Sequence, residues 1–299
     1  MTLLRQRMLD ALVLRGMADR TQESYIDAVS RLARHYRRSP DTLSAEEVQR
    51  YLLHLLRDRN LSRSSVNQYG CAFRFLYGTV LGLNGDSFQI PLAPAPHRLP
   101  EILSREELAR LFAAARPLKS RTFLMLSYGT GLRLSEMCHL RVADIDSHAD
   151  RMCIRVEQGK GAKDRYVPLS EDVLQLLRTW WRSAHPREWL FGAARDPARP
   201  LNLKSAQRWY YAGCAHAGIT KRGGIHSLRH AYATHLLEAG TDIRTIQLLL
   251  GHADLTHTTV YLHLSRRHLH AAPNPLEQLH VTPPLVVPRS RLKRKPTES

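Results

Sequence analysis

Apolar positions in the first ninety residues recur at helical spacing. Leu4, Met8 and Leu12 fall four apart, and Tyr25, Val29, Leu32 and Tyr36 follow at steps of four, three and four. Each set lines one face of a helix. Ser44 and Glu47 have the spacing of a capping box and precede the apolar stripe Val48, Leu52 and Leu55. Val66, Tyr69, Phe73 and Leu76 form a fourth stripe. The pattern predicts four short helices in a small bundle over residues 1–90. Pro91, Pro94, Pro96 and Pro100 then interrupt any helix, so residues 91–100 are expected to be an extended linker.

Beyond the prolines, Ser104 and Glu107 predict a second capping box, opening a helix with Leu108, Leu111 and Phe112. Gly129 and Gly131 end one helix, and the next is expected to begin around Leu132. From Arg151 the period shortens to two: Met152, Ile154 and Val156 alternate with polar residues, and Tyr166-Val167-Pro168-Leu169 follows a Gly- and Lys-rich stretch. That is the signature of a β-hairpin. Helices are predicted again at Glu171–Trp181, Lys204–Ala217, His226–Ala239 and Thr241–Leu250, the last closed by Gly251. The fold class expected is mainly α with a small β-sheet (α+β). The domains expected are 1–90, a linker at 91–100, and 101–272. A basic, Pro-rich tail at 273–299, with six prolines in its 27 residues, is expected to be disordered.

Charge sharpens this picture. The 299 residues contain 44 Lys and Arg against 27 Asp and Glu, a net charge of +17. Only seven of those cations are Lys. Such an excess points to a polyanionic partner, and arginine's planar fork suits bidentate contact with phosphate. Residues 98–272 hold most of it, a net of +10. No run of eighteen apolar residues suggests a membrane span, and arginines through the first sixteen residues argue against a secretory signal. Cys71, Cys138, Cys153 and Cys214 form no CxxC pair, which argues against a zinc site or disulfide framework.

Five places could carry chemistry. Arg133 stands at the start of a predicted helix, where its charge and the positive helix end both favour an anion; an ion pair with Glu136 is the alternative. Lys160 occupies a flexible Gly-Lys-Gly hairpin tip with Lys163 as rival, and either could be a solvated turn lysine. His226 and Arg229, three apart on a predicted helix, offer a proton-transfer group beside a cation. His230 reads as a packing or supporting residue. Gly251 turns the chain at a helix end and presents His252. Tyr261, after a β-branched run, could be core or nucleophile.

The order and spacing of these residues resemble the tyrosine recombinase (phage integrase) family over about 260 of the 299 residues. Thr130–Glu136 is similar to the family's first arginine box and Gly159–Leu169 to its hairpin lysine box. His226–His235 resembles its His-x-x-Arg box, and Leu250–His252 through Tyr261 its histidine and nucleophile segment. Two departures stand out. Ile225 precedes His226 where proline is frequent in relatives, and the tail after Tyr261 is longer than in Xer-like members, which bears on C-terminal contacts between subunits.

The resemblance implies a helical SAM-like core-binding domain and a tyrosine-recombinase catalytic domain. The two would close around double-stranded DNA in a homotetramer assembled on two sites. It implies an integrase of a mobile element or a Xer-like resolvase, cytoplasmic and nucleoid-associated, working with or without a partner recombinase or accessory factor. DNA would be cut and rejoined through a covalent 3′-phosphotyrosyl bond, with neither metal nor other cofactor. By the same resemblance Tyr261 is the nucleophile and Arg133, Arg229 and His252 hold the phosphate; His226 manages a proton and Lys160 is the acid. Rival readings are a DNA-binding protein of this fold that does not cut, against which the complete residue set argues, and a type IB topoisomerase. The helical N-terminal section favours a recombinase over the latter.

Overall fold

The computed structural model describes residues 2–83, 88–92, 94, 99–157, 164–252, 254–259 and 261–262. Lys160, Lys163 and the tail from residue 273 lie outside the described residues. The chain divides into two compact units, Met1–Arg98 and Leu99–Ser299.

The first unit is a bundle of four helices: α1 (Leu3–Leu14), α2 (Asp19–Tyr36), α3 (Ala45–Arg57) and α4 (Arg63–Arg74). Ser44 and Glu47 form the expected capping box at the start of α3. Met8, Leu12, Leu32, Val48, Phe73 and Leu76 lie at its centre. The fourth helix runs on into a wider π-helical turn, Phe75–Val80, that the spacing of apolar residues does not announce. Its last turns bury Phe75, Leu76 and Tyr77, and the Tyr77 hydroxyl donates to the Pro40 carbonyl at 2.7 Å. The start of the proline-rich stretch packs on this bundle. The Arg74 guanidinium donates to the Ile90 carbonyl, and the Leu92 side chain lies over Gly70, where a Cβ would oblige its terminal methyl to shift.

The second unit is also mostly helical. It contains α5 (Arg105–Ala114), α6 (Leu118–Thr130), α7 (Leu134–Cys138), α8 (Glu171–Ala184), α9 (Leu203–His216), α10 (His226–Glu238), α11 (Ile243–Leu250) and α12 (Thr256–Thr259). The Ser104–Glu107 capping box forms as the spacing requires. One small antiparallel sheet interrupts the helices, with strand order β1 (Ile145–Asp146), β2 (Cys153–Val156), β3 (Arg165–Pro168). In its register Ile145 faces Ile154 and Ile154 faces Val167. The hairpin is the predicted one. β1 is an addition, too short for its alternation to show in sequence.

Two helix starts differ by two residues from the sequence reading, and α9 begins one residue early, at Leu203 rather than Lys204. α7 begins at Leu134 rather than near Leu132, because Arg133 keeps an extended backbone whose N–H donates to the Glu136 carboxylate at 2.8 Å. α11 begins at Ile243 rather than Thr241, because the Asp242 side chain caps it by accepting from the N–H groups of Arg244 and Thr245. α10 runs through this unit with α6 on one side and α11 on another, and α11 also packs against β3. The four cysteines are unpaired. Among the described residues, no helix is long and apolar enough to cross a membrane.

Gly131 sets the geometry between α6 and α7. Its φ of +61° is left-handed, and a Cβ there would come within 2.3 Å of the Tyr232 ring on α10. Gly131→Ala combines left-handed strain with displacement of a packed ring. It is expected to lower the unfolding free energy by about 2 kcal/mol or more, read as a lower urea midpoint. An unchanged midpoint would contradict this packing.

Candidate active site

The site is assembled around the end of α11. The last carbonyls of a helix have no partner within it and carry its negative end. Here three consecutive carbonyls each accept from a different arginine. Arg165, on β3, donates from Nε to Leu249 O at 3.0 Å; Arg229, on α10, donates from Nη2 to Leu250 O at 2.7 Å; Arg133, at the cap of α7, donates from Nη2 to Gly251 O at 2.7 Å. Arg229 also donates from Nη1 to Gly131 O at 2.6 Å, the residue that caps α6. Thus Arg229 ties together the C-terminal ends of two helices.

Gly251 allows this convergence. It adopts the left-handed conformation expected of a helix-ending glycine, with φ of +63°, and a Cβ would press on Arg165 Cδ at 2.9 Å and Nε at 3.1 Å.

One carboxylate balances the arginines. Glu136 accepts a two-pronged contact from Arg165 (Nη1 to Oε1 2.9 Å, Nη2 to Oε2 2.7 Å) and a further bond from Arg133 Nη1 at 2.8 Å. Burial works to raise its pKa, but Arg165 and then Arg133 outweigh that and hold the carboxyl down at about 2. The ion pair between Arg133 and Glu136 allowed by their spacing is therefore present, yet it does not exhaust Arg133. Two of its five N–H donors are engaged by these side-chain contacts, and the same holds for Arg229. Arg229 is 6% exposed, and burial, with Arg133 nearby, pulls its pKa down to about 10.

The remaining residues named from sequence lie on the same elements. His226 is the first residue of α10 and keeps an exposed edge; partial desolvation by the protein packed around its imidazole, then Arg229 and Arg133, lowers its pKa from the ordinary value. His252 follows Gly251, its Nδ1 2.8 Å from Thr258 Oγ1, and its ring lies parallel to that of Tyr261 at 6.5 Å. Tyr261 is 3% exposed and packs with Ala233, Leu237, Ile246 and Leu250. Its hydroxyl lies 3.3 Å from His230 Nδ1.

Two guanidiniums beside Tyr261 suggest a lowered phenol pKa. The outcome is the reverse: burial raises it, and Arg229 and Arg133 only partly offset that. The structure therefore gathers Arg133, His226, Arg229, His252 and Tyr261 in the second unit, while Lys160 lies outside the described residues. Sequence reasoning missed Arg165 and the bridging use of Glu136. The only available signal was their presence inside the two motif strings.

Residues 101–268 match the phage integrase family, and residues 4–85 match the phage integrase N-terminal SAM-like domain. The Sinorhizobium fredii protein y4qK is 40% identical over 284 residues, spanning 93% of this chain and 90% of that protein. The tyrosine recombinase XerA of Thermococcus kodakarensis is 38% identical over 237 residues, spanning 77% and 81%. The chain belongs to the phage integrase family. Among solved structures, a XerA recombinase aligns with a TM-score of 0.53 at 26% identity, covering 93% of this chain and 98% of that one. A lambda integrase tetramer bound to a Holliday junction aligns with a TM-score of 0.71 at 18% identity, covering 89% and 77%, a likeness of fold.

In this integrase-family chain, the Glu136 carboxylate makes the arginine cluster pH-sensitive. Its pKa is lower folded than unfolded, so its stabilisation is complete above the unfolded value and is lost as pH falls towards about 2. Between pH 5 and 2 the loss attributable to this group is expected to be about 3 kcal/mol. Glu136→Gln should remove that component and be less stable at neutral pH, since two guanidiniums lose their carboxylate. Urea unfolding across pH checks both; an acid dependence unchanged in the variant would refute the assignment.

Proposed function

We propose that the protein is a site-specific recombinase that cuts and rejoins double-stranded DNA through a covalent bond between Tyr261 and a DNA 3′ phosphate. The observation that carries this reading is that Tyr261 and two phosphate-competent arginines, Arg133 and Arg229, share one buried site whose guanidiniums outnumber carboxylates by three to one.

Attack on a phosphodiester places extra negative charge on the non-bridging oxygens. Arg133 and Arg229, already fixed by helix-end carbonyls, would receive that charge without first being ordered. His252 would add a third donor. Tyr261 attacks phosphorus, and the covalent bond preserves the energy for religation. Lys160 would supply the proton that the leaving 5′ oxygen needs. His226, beside Arg229, would manage protons at the phosphate.

In this reading residues 1–90 are the core-binding domain, 91–100 the linker and 101–272 the catalytic domain. The reaction needs two duplexes and four cuts, so a homotetramer formed on DNA is the working unit, with a partner recombinase or accessory factor able to join it. Affinity for duplex DNA should fall steeply with salt.

Tyr261→Phe should bind duplex DNA as wild type does but form no covalent adduct with nicked suicide duplexes tiled across the DNA flanking the gene. An adduct formed by that variant would exclude Tyr261 as nucleophile. Relaxation of any plasmid without recombinant product would favour the topoisomerase reading instead. A 5′-thio leaving group, which departs without a proton, is expected to restore cleavage by Lys160→Ala and not by Lys163→Ala; the reverse pattern would move the acid to Lys163.

A further inference from the structure

A carboxylate offers about four lone-pair positions on its two oxygens, and at Glu136 all of them are taken. Oε1 accepts from Arg165 Nη1 at 2.9 Å and Arg133 Nη1 at 2.8 Å. Oε2 accepts from Arg165 Nη2 at 2.7 Å and from the Arg133 backbone N–H at 2.8 Å. Two arginines therefore share one negative charge unequally. Arg165 grips both oxygens with its fork, whereas the Arg133 side chain reaches the carboxylate through one nitrogen. The Arg165 and Glu136 side chains are only 9% and 10% exposed, so water does little to weaken the competition for that charge.

Arg165 spends its whole fork inside the cluster. It opens β3, its Nε donates to Leu249 O at 3.0 Å, and its side chain lies against Gly251. Arg133 does not. One N–H goes to Glu136 and one to Gly251 O, which leaves three of its five donors.

We propose that Arg165 is a positioning residue that keeps Arg133 available to a phosphate, by holding the carboxylate that would otherwise close on Arg133. This rests on the recombinase reading above. Without Arg165, each Glu136 oxygen has an open lone pair, and Arg133 is the cation already bonded to it. A sheltered carboxylate left with one cationic partner draws that partner in. Arg133 Nη2 would then leave Gly251 O for Glu136 Oε2, forming a two-pronged pair whose charge is cancelled towards an incoming anion. With Arg165 in place, Glu136 aims Arg133 without neutralising it.

Three full-length variants test this. Arg165→Met keeps length without charge, Arg165→Lys returns a single cation, and Arg165→Met with Glu136→Gln also removes the competing carboxylate. Urea midpoints establish that each chain folds. Rates of covalent adduct formation are then read on nicked duplexes with a 5′-thio leaving group, so that the acid does not enter. Arg165→Met should be slower by on the order of 10²-fold, the scale of losing one donor to the developing charge. Arg165→Lys should fall between it and wild type. The double substitution should recover about tenfold over Arg165→Met, although it strips one more contact from the cluster. A residue that only supports packing predicts the opposite: a double variant as slow as Arg165→Met or slower would overturn the proposal. Should Arg165→Met not fold, Arg165→Lys with and without Glu136→Gln makes the same comparison.

A second measurement needs no DNA. A crystal structure of Arg165→Met, or of Arg165→Lys in its place, should show Arg133 released from Gly251 O and paired through two nitrogens with Glu136. Arg133 unmoved would also overturn the proposal. Absence of any adduct with the wild-type chain would strike the recombinase reading, and that crystal structure would still decide whether Arg165 governs the pairing of Arg133 with Glu136.

Discussion

A guanidinium taken out of water must be solvated by the protein around it, and the arginines of the second unit meet that demand with the ends of helices. Arg229 is almost fully buried, and its two Nη groups engage the carbonyls of Gly131 and Leu250. Arg165 and Arg133 take the carbonyls on either side, Leu249 and Gly251. Each of these carbonyls is an orphan of its helix, so the cations satisfy groups that would otherwise need water. The helix ends in turn supply partial negative charge that makes burial of the cations tolerable. Arg229 therefore sets how α6, α10 and α11 meet.

Neutralisation in this cluster is deliberately incomplete in the sense that one carboxylate, Glu136, serves two arginines while the third has none of its own. A more fully paired cluster would offer an incoming anion little. With backbone carbonyls as the main partners, the guanidiniums are fixed in direction yet keep most of their charge. That combination suits a phosphate whose charge grows during reaction, because the donors are positioned before the charge develops.

Much of this architecture could be read from the chain, and the unreadable part has a common cause. Capping boxes at Ser44 and Ser104, the hairpin strands and the left-handed Gly251 are local signals, set by residues a few positions apart. The site residues found from sequence were likewise those inside short motifs. Arg165 escaped because its partners are a carboxylate 29 positions away and a backbone carbonyl 84 positions away. Any residue in place of Leu249 would present the same carbonyl, so its side-chain identity says nothing of the contact. His230 was read from sequence as a packing or supporting residue, but not its partner: its place beside Tyr261 depends on how α10 and the chain after α11 pack, which helical spacing alone does not state.

The same stretch of chain that accepts the arginines also carries the tyrosine. From the carbonyls of Leu249, Leu250 and Gly251 the backbone passes through His252, whose ring bonds Thr258 and lies parallel to Tyr261. Tyr261 then packs back on Ile246 and Leu250 of α11 itself. A phosphate that drew N–H donors of Arg133 or Arg229 away from those carbonyls would weaken the anchor of the segment that carries Tyr261. Conversely, any shift of that segment changes which acceptors the arginines keep. Binding of the anion and placement of the phenol are thus two readings of one equilibrium, and each must bias the other by the same free energy.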